Sequence, residues 1–241
     1  MNVEELIASS KPFLTWLVDW YNHRPAVEMH DIVAAVDGDP SRIAVISVDV
    51  TKGFCSEGPL ASDRVGGIVP GVVHVFQRAH DLGVRHFLLP QDTHSHDAVE
   101  FEVYPAHCRI GSPQSETVTA LSDLPFSDLF QVMEKDTISS NIDTELGPWL
   151  DDHPEVTTYI VVGDCTDLCV HQLAMYLRLR ANARKIQGAR VIVPVFAVDT
   201  FDTPVDIAQE IGAMPHHADL LHLIFLYNMA QNGVEIVSEV I

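Results

Sequence analysis

Val161-Val162-Gly163-Asp164-Cys165-Thr166-Asp167-Leu168-Cys169-Val170 is the stretch that decides how this chain folds. The apolar run from Tyr159 to Val162 reads as a fully buried strand. Gly163 and Asp164 break it, and Thr166 stands where a helix N-cap is expected. Leu168, Leu173, Tyr176, Leu177 and Leu179 then recur at roughly helical spacing. Cys169 therefore falls in the first turn of a helix fed directly by a central strand. Unpaired amides and the positive end of the helix dipole favour a thiolate at that position. Such a strand-to-helix turn also presents its side chain at the carboxyl end of a sheet, where open α/β folds place ligands. A lone intracellular cysteine is more often a buried structural residue. Cys169 becomes chemically interesting only if the chain also supplies a base, a charge partner and a pocket.

Working outward, Ile43–Val50, Val84–Pro90, Leu129–Glu134, Thr157–Val162, Ala189–Val198 and Gly233–Val237 read as strands. Pro194 weakens the later half of the fifth. Helices are expected over 3–21, 65–82, after Cys169 and over 216–231, with Pro70 marking a possible new start inside the second. Residues 22–41, with Pro25, Gly38 and Pro40, read as a loop or linker. This alternation predicts a three-layer α/β/α domain over residues 41–241 with a mainly parallel central sheet, preceded by an N-terminal helical extension over 1–40.

The 241 residues carry a net charge of -20, which argues against nucleic acid or an anionic membrane as partner, because phosphate contacts need clustered Lys and Arg. No apolar run reaches transmembrane length, and Glu4, Glu5, Lys11 and Asp19 interrupt the N-terminus, so a cytoplasmic protein is expected. Cys55, Cys108, Cys165 and Cys169 show neither zinc-ribbon spacing nor a disulfide framework. Walker A and GxGxxG patterns are missing, so no organic nucleotide cofactor is expected. Apolar residues on the N-terminal helix point to a homo-oligomer.

Asp49 lies near the end of the first strand, where it is either a loop cap or a buried carboxylate that needs partners. Lys135 ends the third strand, as a solvated charge or as a buried cation paired with Asp49. Asp92 and His94 are two apart on an extended segment, and His107 follows after a loop that can fold back on them. One carboxylate and two imidazoles suit a divalent ion such as zinc, manganese or iron. Thirteen histidines make chance spacing the slightly better reading from the residues alone.

Asp49, Lys135 and Cys169, in that order on three strand ends, resemble the isochorismatase-like cysteine hydrolase superfamily, which includes nicotinamidases. Asp49, Phe54, Gly58 and Leu60 match its D-x-x-x-x-F-x-x-x-G-x-L motif, and Gly163–Val170 its G-x-x-T-D-x-C-V elbow. Asp92-Thr93-His94 with Pro105-Ala106-His107-Cys108 is similar to the nicotinamidase metal site. The sequence departs from that pattern at Thr93, where tryptophan is usual, at Gly111–Glu116, and at Asp164 and Cys165 within the elbow. These positions bear on substrate more than on chemistry.

The resemblance implies an amidohydrolase acting on a small molecule, with nicotinamide as the first candidate. Cys169 is then the nucleophile, Asp49 the base and Lys135 its charge partner. Phe54 belongs to the substrate pocket. A cis peptide at Asp164–Cys165 forms the oxyanion hole with the Cys165 and Cys169 amides. Asp92, His94 and His107 hold a divalent metal that orients the substrate. The alternatives are another small amide, a carbamoyl compound, or an isochorismate-like enol ether, the last needing neither the metal nor a nucleophilic cysteine.

Overall fold

A computed structural model describes residues 2–241. Seven strands form one sheet: β1 (Ile43–Val48), β2 (His86–Asp92), β3 (Phe130–Lys135), β4 (Thr158–Asp164), β5 (Arg190–Pro194), β6 (Val198–Asp199) and β7 (Glu235–Val237). Their order is β3-β2-β1-β4-β5-β7, with β6 pairing to the far end of β4, and every pairing is parallel. Around the sheet lie α1 (Val3–Asn22), α2 (Met29–Ala34), α3 (Lys52–Cys55), α4 (Asp63–Asp81), α5 (Thr119–Ser122), α6 (Leu146–Asp152), α7 (Cys169–Arg184), α8 (Val205–Ile211) and α9 (Ala218–Gln231). The chain is thus a doubly wound α/β sheet covered on both faces, the architecture expected of its alternating strands and helices.

Strand alternation divides the core in two. Ile43, Val45, Ile160 and Val162 face α4, with Val72, Val75 and Phe76 packed on them. Ala44, Ile46, Tyr159 and Val161 face the other layer, against Leu173, Leu177, Leu226 and Met229 of α7 and α9. All six residues of β1 are buried, as an apolar run covered on both faces requires. Each such aliphatic side chain contributes roughly 1.5–3 kcal/mol of burial.

The crossover from β1 runs to β2 and that from β4 runs to β5, so the winding reverses between the adjacent strands β1 and β4. The carboxyl ends of these two strands splay apart there, and open α/β sheets bind ligands in the resulting crevice.

Several expectations need correction. Residues 22–41 are not simply a loop: α2 buries Met29 and Ile32 in the α4-side core, and Val27 bridges Val240. Helix α4 runs unbroken through Pro70 instead of restarting there. Its buried face, Val65, Ile68, Val72, Val75, Phe76 and Ala79, outweighs one missing amide bond. The expected fifth strand is two strands, because Pro194 ends β5 and a single 3-10 turn, Val195–Ala197, leads into β6. Helix α1 lies on α9, where Phe13, Trp16 and Trp20 surround Tyr227 at ring separations of 5.3, 5.6 and 6.0 Å.

Candidate active site

Four strand ends deliver the chemistry-bearing side chains to one place. Asp49 follows β1, while Asp92, Lys135 and Asp164 are the last residues of β2, β3 and β4, and Cys169 is the first residue of α7. Gly163 makes the approach possible. It has φ +113°, and a Cβ there would lie 2.0 Å from the Val48 carbonyl on the neighbouring strand. Side chains are excluded both by that contact and by the backbone angle. Gly53 serves the neighbouring loop likewise, since a Cβ would meet the Cys108 sulfur at 2.5 Å.

Lys135 is 2% exposed and sits at the centre. Its Nζ lies 2.8 Å from Asp49 Oδ2, donates to Asp92 Oδ1 and to the Thr137 carbonyl at 3.2 Å, and stands 3.8 Å from Cys169 Sγ. An ammonium has three protons, which go to Asp92, the Thr137 carbonyl and the Cys169 sulfur, while Asp49 Oδ2 is held as an ion pair. Burial opposes its charge, but Asp49 and Asp92 outweigh burial and hold it protonated well above its ordinary range. The alternative of a solvated charge is thereby removed.

Asp49 is fully buried, has φ +56°, and accepts the Asp92 amide at 2.7 Å. Burial and the Asp92 carboxylate push it up to about 6, against the opposing pull of Lys135 and a hydrogen bond from Cys169. Asp92 moves the other way. Burial raises it, but Lys135 and the histidines His107 and His94 hold it well below the carboxylate range. Cys169 departs from the expected thiolate. Burial, with Asp49 and Asp92 nearby, lifts the thiol well above its usual value despite Lys135. The shifts thus favour a thiol, rather than a thiolate, beside the Asp49 carboxylate.

Asp92, His94, Glu100 and His107 offer ligand atoms that lie within 4.8 Å of one another. His94 Nε2 is 3.2 Å from His107 Nε2, and these atoms are 3.5 and 3.6 Å from Asp92 Oδ2. A divalent ion held at about 2.1 Å needs neighbouring donors at about 3.0–3.4 Å, so the set fits such an ion closely. The opposite ring nitrogens are anchored, His94 Nδ1 to Asp136 at 2.9 Å and His107 Nδ1 to the Pro105 carbonyl at 2.8 Å. That pattern turns both Nε2 lone pairs inward, as metal-ligating histidines require. Burial lowers the His94 pKa, but Asp92 and Asp136 overcome it and raise it to about 9. Glu100, in the acidic turn between the histidines, has no counterpart among the residues singled out from sequence. Its neighbours Asp97 and Glu102 make it look like an ordinary surface charge.

The elbow differs in one detail from its sequence reading. Thr166 is not the N-cap of α7; Leu168 takes that position without a side-chain cap. Thr166 Oγ1 instead pairs with His222 Nδ1 of α9 at 2.9 Å. The Asp164–Cys165 peptide is cis. Neither the Cys165 nor the Cys169 amide has an acceptor among the described residues, which leaves both donors available to an oxyanion.

A cavity of about 550 Å³ opens over these groups. Asp49, Asp92, His107, Asp164, Cys165 and Cys169 line its floor, and Phe54, Tyr104, Leu168, Phe201 and Met214 its walls. The segment 200–217, which carries α8, forms one side and was not anticipated as part of the site. His216 ties it to the elbow through Asp167 at 2.8 Å, and the Phe201 ring stacks on His216 at 3.9 Å.

Residues 43–203 match the isochorismatase domain family. Nicotinamidase 1 of Arabidopsis thaliana is 30% identical over 217 residues, covering 83% of this chain and 87% of that protein. Among solved structures, the pyrazinamidase/nicotinamidase of Streptococcus mutans UA159 superposes with a TM-score of 0.64 at 23% identity, over 81% of this chain and 99% of that one. The pyrazinamidase of Pyrococcus horikoshii, solved in complex with zinc, gives a TM-score of 0.60 at 22% identity, over 81% and 98%. These two structures share the fold.

Proposed function

Because this chain belongs to the isochorismatase domain family of hydrolases, we propose that it cleaves a small carboxamide to the acid and ammonia, nicotinamide being the first candidate. The observation that carries this reading is that Asp49 and Cys169 line the floor of one cavity with the buried Lys135 beside both, next to a cluster fit for a divalent ion. The resemblance of the chain to nicotinamidase 1 of Arabidopsis thaliana supports the choice of substrate.

In this reading the Cys169 thiol gives its proton to Asp49 as its sulfur attacks the amide carbonyl. Lys135 stays charged and keeps the base in place. The Cys165 and Cys169 amides receive the negative charge that develops on the carbonyl oxygen. Asp49 then passes the proton to the departing nitrogen, leaving a thioester on Cys169. Water attacks that thioester with Asp49 again as base, releasing the acid and restoring the thiol. Asp92, His94 and His107, with Glu100 alongside, would hold a divalent ion, which supplies a Lewis-acid contact that orients the substrate. Phe54 and Leu168 give the cavity apolar walls for a flat or aliphatic body.

The test is ammonia release from nicotinamide by the purified protein, stripped with chelator and then reloaded with zinc or manganese. Release that falls on stripping and returns on reloading is expected. A protein that binds the metal and releases no ammonia would remove nicotinamide from the reading.

A further inference from the structure

One buried acid in the cavity takes no part in this scheme. Asp164 is 1% exposed and lines the cavity beside Cys165. Strand alternation turns it to the face of Ile160 and Val162. Oδ2 accepts a long hydrogen bond from the Cys165 thiol at 3.6 Å, and Oδ1 is buried with no partner at all. Leaving such an oxygen unpaired is costly, and this one belongs to a residue that lines a cavity able to hold a ligand. Lys135, the buried cation of this site, is committed to Asp49 and Asp92. Burial, and then the Asp49 carboxylate, lift the acid well above its usual range, a shift toward the carboxyl form, which has one O–H to give and one C=O to receive.

We propose that Asp164 is a specificity-determining residue, whose unpaired carboxyl bonds an uncharged polar group next to the scissile carbonyl of the substrate. Position follows from covalent neighbourhood. Asp164 precedes Cys165, whose amide is the candidate oxyanion donor, and lines the same cavity. The inference rests on the amide-hydrolase reading and narrows its substrate class. Favoured amides carry a ring nitrogen or a ureido N–H adjoining the carboxamide. Sites built around a buried polar group discriminate strongly against analogues that leave it unpaired.

Two matched pairs test this: pyrazinamide against nicotinamide, which lacks the adjacent ring nitrogen, and butylurea against hexanamide, where CH2 replaces N–H. In at least one pair, Asp164→Val should lower kcat/KM for the polar member about tenfold or more, mainly through KM, and leave its partner within about twofold. Asp164→Asn, which also gives and receives a hydrogen bond, should restore most of the preference. Asp164→Ala serves where valine disturbs folding, as judged by Tm. An unchanged ratio in both pairs, or an equal fall for both members of each, would overturn the role of Asp164. Butylurea cleaved in an Asp164-dependent way while nicotinamide is untouched removes only nicotinamide from the proposed function. A wild-type protein that cleaves none of the four overturns both.

Discussion

Lys135 shows how a single side chain can carry both stability and chemistry. It pairs with two buried carboxylates at once, Asp49 and Asp92. Removing one partner of such a cluster leaves uncompensated buried charge, at a cost of about 3–5 kcal/mol. Lys135→Met should therefore lose both turnover and roughly that much unfolding free energy in urea. Cys169→Ala should keep its stability, because it removes only a sulfur from the cavity floor. Equal stability for the two variants would mean that the ion cluster is not closed as described. Gly163 gives a second prediction at this scale. Gly163→Ala places a methyl group 2.0 Å from the Val48 carbonyl. It should destabilise the fold by at least about 2 kcal/mol, since both sterics and a positive φ oppose it. A Tm within a degree or two of wild type would contradict that account.

At the scale of elements, the segment 200–217 is held to the elbow by His216. Its Nδ1 faces the Phe201 carbonyl at 2.8 Å and its Nε2 faces Asp167 at 2.8 Å, an arrangement that suits the doubly protonated ring. Burial lowers the His216 pKa, but Asp167 more than compensates and the folded value is raised. A raised folded pKa contributes stability that is complete below the unfolded histidine value and is lost as pH rises through the folded one. The stability gap between wild type and His216→Gln should thus be larger at pH 6 than at pH 9 in chemical denaturation. A gap that grows with pH would refute the clamp. The elements also show what the sequence could and could not disclose. β1 and β4 were legible because strands covered on both faces read as unbroken apolar runs. β3 lies at the sheet edge and exposes Gln131, Val132 and Glu134, so nothing local told whether Lys135 was buried or solvated. Thr166 resembled a cap because its rival partner, His222, lies 56 residues further on. Pro70 resembled a break because the buried face that carries α4 through it is a tertiary effect. The convergence of Asp92, His94 and His107 followed from spacing together with family resemblance, whereas Glu100 and α8 carried no periodic signal.

For the whole molecule, the doubly wound sheet reverses at β1 and β4, and this places Asp49 and Cys169 on opposite lips of one crevice. β2 and β3 then extend that crevice with the candidate metal ligands and the lysine. An ion bound only by the folded state stabilises it by mass action. Zinc added to metal-free protein should raise Tm, and His94→Ala should abolish the rise; an equal rise in that variant would place the ion elsewhere. The central claim is that Cys169 is the nucleophile of an amide hydrolase. Steady-state ammonia release from nicotinamide should be measured for the metal-loaded wild type and for Cys169→Ala, with Tm recorded for both. The account predicts turnover in the wild type, background in the variant and matching Tm values. Substantial turnover by a folded Cys169→Ala protein would contradict it.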